Sequence, residues 1–338
     1  MILSIVAIMV GQVQGAASQT GGVGADIIVR PPNASFLSAV GGAPVPAKVA
    51  QVLAKLPHVA VASPVIANFS MGNALQTIWG IDYPTYNALR PFTFIAGHPF
   101  SGPDDVIVDD LYAKSNHAVV GQTIDLLHHS FRVCGIVDHG KGGRIFVPIR
   151  TLGTLLGTPE NASLFYLRWD SPQNKAAIDQ EIHSTKGLEN YETQSMSDYM
   201  AMMTPEHFPG FNIALQVVIG IAVIVGFLVI FQSMYTAVME RTREIGILKS
   251  LGASKAYIIN LVLREVGVVT ILGIATGMVL TMVLRWFMSI KFPTLPFFVS
   301  DAWLFYGAVI ALLGSILGGL YPAWKAARKD PIDALAYE

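Results

Sequence analysis

Charge is scarce in this chain. Asp, Glu, Lys and Arg make up 13% of its 338 residues, while 52% are hydrophobic. With a mean hydropathy of +0.51, it is too apolar for an ordinary soluble domain. An excess of basic residues is missing too. The net charge is -1, which argues against nucleic acid as a partner, because phosphate binding needs a basic face. Cysteine occurs once, at Cys134, so no intrachain disulfide can form. Cys134 lies in the strand-like run Phe131–Val137 and reads as a small buried hydrophobe. No G-x-x-x-x-G-K-[ST] loop occurs, so the chain carries no Walker-type ATP site of its own. The serines lack G-x-S-x-G context, and no enzymatic motif takes its place.

Several patterns are present but carry little chemistry. Gly21-Gly22-Val23-Gly24 follows an apolar helix and precedes a strand. A dinucleotide loop needs the opposite order, so a flexible exit from the membrane is expected. Gly140–Gly143 (GKGG) reads as a hairpin tip rather than a phosphate nest. His128, His129 and His139 lie near Asp125 and Asp138, but adjacent strand residues face opposite ways, so no metal site is expected. Asp104-Asp105 and Asp109-Asp110 read as solvated strand ends. Asn33, Asn68 and Asn161 head glycosylation-type sequons, which matter only in a glycosylating host. Met196, Met200, Met202 and Met203 mark an amphipathic stalk leading towards the membrane.

Long apolar runs set the architecture. Three segments, about 211–234, 266–284 and 303–321, reach the roughly 20 residues that a spanning helix needs. Gly273/Gly277 and Gly314/Gly318 have the GxxxG spacing that lets helices approach in lipid. The 235–264 loop holds Arg241, Arg243, Lys249, Lys255 and Arg264, and the tail holds Lys325, Arg328 and Lys329. The 289–302 loop has only Lys291, so the basic loop and tail are expected to be cytoplasmic and residues before 211 external. Residues 1–20 admit two readings. One is a signal peptide cleaved near Ala16-Ala17-Ser18, which lacks a basic n-region. The other, preferred because it makes the number of spans even, is the outer half of a first span whose inner half lies upstream.

The expected fold is a membrane α-helical protein of four spans, the first incomplete, with a large α+β extracytoplasmic domain between spans one and two. The domains are a partial first helix (1–20), an extracytoplasmic domain (21–205) and a membrane region with three spans (206–338). Alternation predicts strands at 25–29, 59–69, 77–81, 105–108, 123–127, 131–137, 144–147 and 164–169. Helices are expected over 48–56, near 153–154 and over 175–182. Two sub-blocks are expected, one from 25–70 with 160–200, the other from 75–150.

Residues 239–255 form the densest charged block of the chain. Ile245, Leu248 and Leu251 recur at helical spacing beside Ile247, flanked by Arg241, Arg243, Glu244 and Lys249. Gly252 reads as a helix stop and Ser254 as the N-cap of the next helix. An amphipathic helix at the membrane surface, rimmed with both charge signs, suits docking against another protein.

The stretch Glu240–Ser254 resembles the E-R-x-R-E-I-G-x-L-x-A-x-G-A-x loop of the macrolide-exporter/FtsX-like permease family of ABC transporters. The tail Tyr321–Leu335 is similar to that family's P-A-x-x-A-A-x-x-x-P-x-x-A-L ending, and Gly24–Val29 resembles the start of its external insert. Ser250 departs from the usual Ala. The resemblance implies a permease subunit of the bacterial inner membrane, multi-pass, with no catalytic site. ATP and Mg would sit on a separate ABC ATPase. That subunit would dock on Glu240, Arg241, Arg243, Glu244, Ile245, Gly246, Ile247, Leu248, Lys249, Gly252 and Ala253. A second permease copy or homologue, an extracytoplasmic adaptor or effector and membrane lipids are the other implied partners. The implied activity is export or extraction of an amphiphile, peptide, antibiotic or lipoprotein. The alternative is mechanical signalling to an outside partner such as a cell-wall hydrolase.

Overall fold

A computed structural model describes residues 2–32, 34, 44–71, 75–202, 204 and 210–328. Asn33 and Ser35 of the first sequon, Met203 and the tail motif from Lys329 onward lie outside the described residues. The elements, in chain order, are α1 (Ile2–Gly21), β1 (Ile27–Arg30), β2 (Val45–Pro46), α2 (Val49–Leu53), β3 (Val59–Met71), β4 (Leu75–Ile81), α3 (Tyr83–Leu89), β5 (Phe94–Gly97), β6 (Asp105–Asp109), α4 (Asp110–Asn116), β7 (Thr123–Leu126) and β8 (His129–Val137). There follow β9 (Ile145–Pro148), α5 (Ile149–Leu155), β10 (Asn161–Ala162), β11 (Leu164–Trp169), α6 (Lys175–Ser184), β12 (Glu192–Ser195), α7 (Met196–Met202), α8 (Phe211–Glu240), α9 (Thr242–Ser250), α10 (Lys255–Lys291) and α11 (Asp301–Arg328).

The chain divides into two compact units. Unit 2 comprises Val13–Phe208 and Lys291–Thr294. Its sheet runs β12-β1-β11-β3-β4-β9-β6-β8-β5, with β7 paired to β8. Most neighbours are antiparallel, but β4–β9 and β6–β8 are parallel. Strands from the two ends of the insert (β12, β1, β11, β3) form one half of the sheet. Strands from its middle form the other, and the β3–β4 pairing joins them. The two expected sub-blocks are thus halves of one sheet. Apolar side chains pack on both faces, as alternation along strands requires. One cluster holds Trp79, Tyr86, Phe92, Phe146 and Tyr166; a second holds Val106, Phe131, Ile145 and Leu152; a third holds Leu53, Phe165, Ile178 and Ile182.

Two local readings need correction. His128 is not on a strand. Leu127 and His128 both have positive φ (53° and 60°) and form the two-residue turn between β7 and β8. Asp105 and Asp109 are not solvated strand ends but are 2% and 0% exposed. Asp109 caps α4, its Oδ1 accepting from the Tyr112 N–H at 2.6 Å, and Asp105 accepts from Arg132 Nη2 at 2.8 Å. Burial pushes both carboxyls up. At Asp105 the N–H groups of Ser101 and Gly102 and the Arg132 guanidinium outweigh it and hold the group below 3.8. At Asp109 burial wins and the group lies above that value. Cys134 is buried, and desolvation raises its thiol to about 12.

Unit 1 comprises Met1–Gln12, Pro209–Ile290 and Leu295–Glu338. Three of its helices, α8, α10 and α11, are long and apolar enough to cross a membrane. Each outruns the apolar segment read from sequence, because the helix continues through its polar ends. Val6 and Val10 of α1 pack against Leu215 of α8, with Phe211, Ile219 and Trp303 beside them. A Cβ on Gly318 would lie 3.2 Å from the Phe227 carbonyl of α8, and one on Gly319 2.6 Å from Val266 of α10, so these two glycines sit at helix contacts. A Cβ on Gly273, Gly277 or Gly314 would meet nothing within 4 Å, so among the described residues these positions of the GxxxG pattern are not close helix contacts.

Candidate functional site

The charged block folds as a short helix between two long ones. α8 stops at Glu240, where Arg241 leaves helical geometry (φ -98°, ψ 17°), and α9 begins at Thr242. The Thr242 hydroxyl is buried and donates to the carbonyls of Val238 and Met239, at 3.2 and 2.8 Å. α9 ends in a Schellman turn: Gly252 N–H donates to Lys249 O and Ala253 N–H to Leu248 O, both at 3.0 Å. Gly252 supplies the positive φ (96°) that this turn requires. The Ser254 Oγ then accepts from the Tyr257 N–H at 3.2 Å and caps α10. Both the stop and the restart were legible in the sequence.

The two faces of α9 have different fates. Ile245 is buried in a cluster with Val238, Ile258, Val262, Ala323, Ala326 and Ala327, and Leu248 and Ala253 pack against it. Gly246 is buried on the same side. Lys249 also turns inward, its Nζ donating to the Ala327 carbonyl in the last turn of α11 at 3.1 Å. Ile245, Gly246, Leu248, Lys249 and Ala253 therefore hold α9 against α8, α10 and α11. The outward face carries Glu240, Arg243, Glu244 and Ile247, followed by Leu251 and Gly252. Ile247 is 45% exposed and Leu251 80%. Arg241 is also on the surface, paired with Glu265 at 3.1 Å. Leu251 does not join the stripe of Ile245 and Leu248, because it caps the helix beyond its last turn. Exposed Tyr257 and Leu261, on the first turns of α10, were not singled out from sequence; both lie on the exposed side of an otherwise half-buried helical start.

This arrangement leaves Ile247 and Leu251 exposed beside Glu240, Arg243 and Glu244, while the opposite face of α9 packs against its own chain. Among the described residues no group of three or more His, Cys, Asp or Glu converges as a metal site.

A family model for the MacB-like periplasmic core domain matches residues 1–185, and one for the FtsX-like permease C-terminal region matches residues 216–331. The "Uncharacterized ABC transporter permease YknZ" of Bacillus subtilis (strain 168) is 27% identical over 288 residues, covering 78% of this chain and 70% of that protein. The "Macrolide export ATP-binding/permease protein MacB" of Vibrio parahaemolyticus serotype O3:K6 (strain RIMD 2210633) is 24% identical over 99% of this chain, which spans only 55% of that protein's length. The solved periplasmic region of MacB from Actinobacillus actinomycetemcomitans aligns with 54% of this chain and 94% of its own at 14% identity, with a TM-score of 0.43; the assignment of the external domain rests on the family model instead. With both halves of the chain matched in order, this is a membrane protein with an extracytoplasmic domain, and it belongs to the ABC transporter permeases of the MacB/FtsX type.

Proposed function

We propose that this chain is the permease subunit of a bacterial cytoplasmic-membrane ABC transporter, and that it couples ATP hydrolysis by a separate ATPase to movement of its extracytoplasmic domain. It carries no catalytic site in this reading; ATP and Mg belong to the partner subunit. Four spans, with α1 as the outer part of the first, and pairing with a second copy or a homologue belong to the same proposal. So does the cargo: an amphiphile, peptide, antibiotic or lipoprotein exported or extracted on the outer side, with an adaptor or effector engaging the external domain. The spans support a transmitter rather than a channel, since residues 211–234, 266–284 and 303–321 carry no charged side chain.

The observation that carries the reading is the outward stripe of α9. Ile247 on α9 and Leu251 at its C-cap are exposed aliphatic side chains, while the other face of the helix is locked into the protein. Burying one such side chain contributes roughly 1.5–3 kcal/mol, against roughly 0–1 kcal/mol for a rim ion pair. Leu251→Glu, or Ile247→Glu, should therefore weaken ATPase association at least about tenfold, more than Arg243→Ala does, at unchanged membrane levels. Leu248→Glu is unsuitable, because Leu248 packs inward and its loss would disturb the helix itself. Copurification of the ATPase at wild-type yield with both Ile247→Glu and Leu251→Glu would remove the support for docking at α9.

A further inference from the structure

Arg144 lies just ahead of β9, inside unit 2, and its guanidinium faces three separate segments. Nη1 donates to Asp109 Oδ2 on β6 at 3.0 Å. Nη2 donates to the carbonyl of Thr294 at 3.2 Å. With its amide oxygen turned toward the guanidinium, as the surrounding donors and acceptors dictate, Gln19 of α1 accepts from Nε at 3.2 Å and Nη2 at 3.3 Å. All three guanidinium nitrogens are thus engaged, and the Asp109 side chain beneath them is only 1% exposed. The backbone adds to this grip. Gly142 N–H donates to the Gln19 carbonyl at 2.8 Å, and Gly22 lies so near Gly140 that a Cβ on it would come within 1.6 Å of the Gly140 carbonyl oxygen. The glycines at 21–24 are therefore not a flexible exit. They allow the end of α1 to seat on the 140–143 turn, which is itself pinned by buried Lys141 donating to the carbonyls of Arg90 and Pro91 at 3.1 and 2.8 Å.

Two of the segments that Arg144 holds belong to connections with the helices: Gln19 lies in α1, the first span of the proposal, and Thr294 in the linker between the candidate spans α10 and α11. The third, Asp109, belongs to a central strand and caps α4. We infer that Arg144 is a positioning residue for transmission, the joint through which displacement of α1 and of the α10–α11 linker is passed together to the central sheet. Arginine suits this role because its planar fork can serve several acceptors at fixed angles; a lysine ammonium in its place would keep the charge beside Asp109 but not the three-way bridge. The inference rests on the coupling proposed above.

The test uses the full chain with its ATPase in lipid nanodiscs, followed by hydrogen–deuterium exchange. In the nucleotide-free complex, Arg144→Lys should raise uptake several-fold over residues 15–24 and 291–298, leaving the interior strands β3, β4 and β11 unchanged. Gln19→Ala should loosen 15–24 alone, because Arg144 then still holds Thr294. With ATP and vanadate, the change in uptake seen across the wild-type external domain should shrink to less than a third in Arg144→Lys, while the change at residues 240–254 and the rate of ATP hydrolysis persist. Wild-type uptake at both segments in Arg144→Lys, or full transmission by that variant, overturns the inference. An ATP response absent from the wild-type external domain sinks the coupling reading instead, and the nucleotide-free comparison then decides alone whether Arg144 joins the two segments.

Discussion

Glycine behaves differently in the two units. In unit 2 most glycines mark places where the chain touches itself, among them Gly22 on Gly140, Gly97 with a Cβ position 2.1 Å from the Cys134 carbonyl, and Gly143 at 2.5 Å from the Trp79 ring, while turn glycines such as Gly121 and Gly157 face open space. In the spans, a Cβ added to Gly220, Gly226, Gly267, Gly273, Gly277 or Gly314 would meet nothing within 4 Å, and close helix contacts are made at Gly318 and Gly319. Burial follows the same division. The sheet of unit 2 is covered on both faces by its own helices and loops, whereas only 11–17% of each candidate span is buried within the chain. The external domain is held by its own core. The membrane helices leave their apolar and small surfaces to lipid or to another chain.

Mutations can break that contrast or sharpen it. The largest effect belongs to the core: Phe146 is 0% exposed and stacks edge-on against Phe92 at 5.2 Å. Phe146→Ala should cost about 3–5 kcal/mol in unfolding of the external domain, whereas Leu228→Ala, at a 54% exposed span position, should stay within about 0.5 kcal/mol. Thermal unfolding of the two variants side by side measures the difference; equal losses would erase the contrast.

A smaller, pH-dependent effect is confined to unit 2. Asp105 titrates below 3.8 in the folded protein, so its contribution is present above that value and is lost as pH falls through its depressed pKa. Asp109 works in the opposite sense: its contribution is full below 3.8 and declines as pH rises through its raised pKa. Asp105→Asn should therefore destabilise the domain at pH 7 and flatten the acid limb below about pH 4 in a stability profile. An unchanged acid limb would assign that limb to other carboxylates, such as Asp110, which burial pushes up but which Lys114 and His139 hold low.

The smallest effect is the most informative about the spans. Gly273→Ala and Gly277→Ala meet open space and should leave the stability of the isolated chain within about 0.5 kcal/mol. Gly319→Ala, against Val266, should cost about 1–3 kcal/mol. If Gly273→Ala or Gly277→Ala instead disrupts self-association in detergent, as read by sedimentation, those glycines belong to an interface with another copy.

Much of this was legible from the chain alone, for identifiable reasons. β3, β8 and β11 stand out as strongly apolar runs because each is flanked by strands on both sides and faces two packed layers. β5 and β12 escaped notice because each is a four-residue edge strand with one neighbour, and β12 (ETQS) carries no apolar residue. α3 and α4 have seven residues each, too short for periodicity to register. Their signals are the capping residues Asp82 and Asp109, and in sequence an Asp at the end of a strand reads equally as a solvated end. At α9 the amphipathic pattern was plain, but apolar residues occur on both faces. Only packing against α8, α10 and α11 distinguishes Ile245 and Leu248, which face in, from Ile247 and Leu251, which face out.

Strand order also bears on how the protein is made. β1 lies between β11 and β12, with Val29 paired to Phe165 on one side and Thr193 on the other. The first strand to emerge on the far side of the membrane must therefore wait for nearly the last, and contacts so distant in sequence close slowly. Until β11 and β12 have crossed, β1 and β3 present unsatisfied edges, the condition in which nascent chains aggregate or recruit chaperones. Closure of the sheet and entry of α8 into the bilayer thus fall at nearly the same moment of synthesis, so that a stall anywhere in the insert would leave an open sheet outside and an unfinished bundle within.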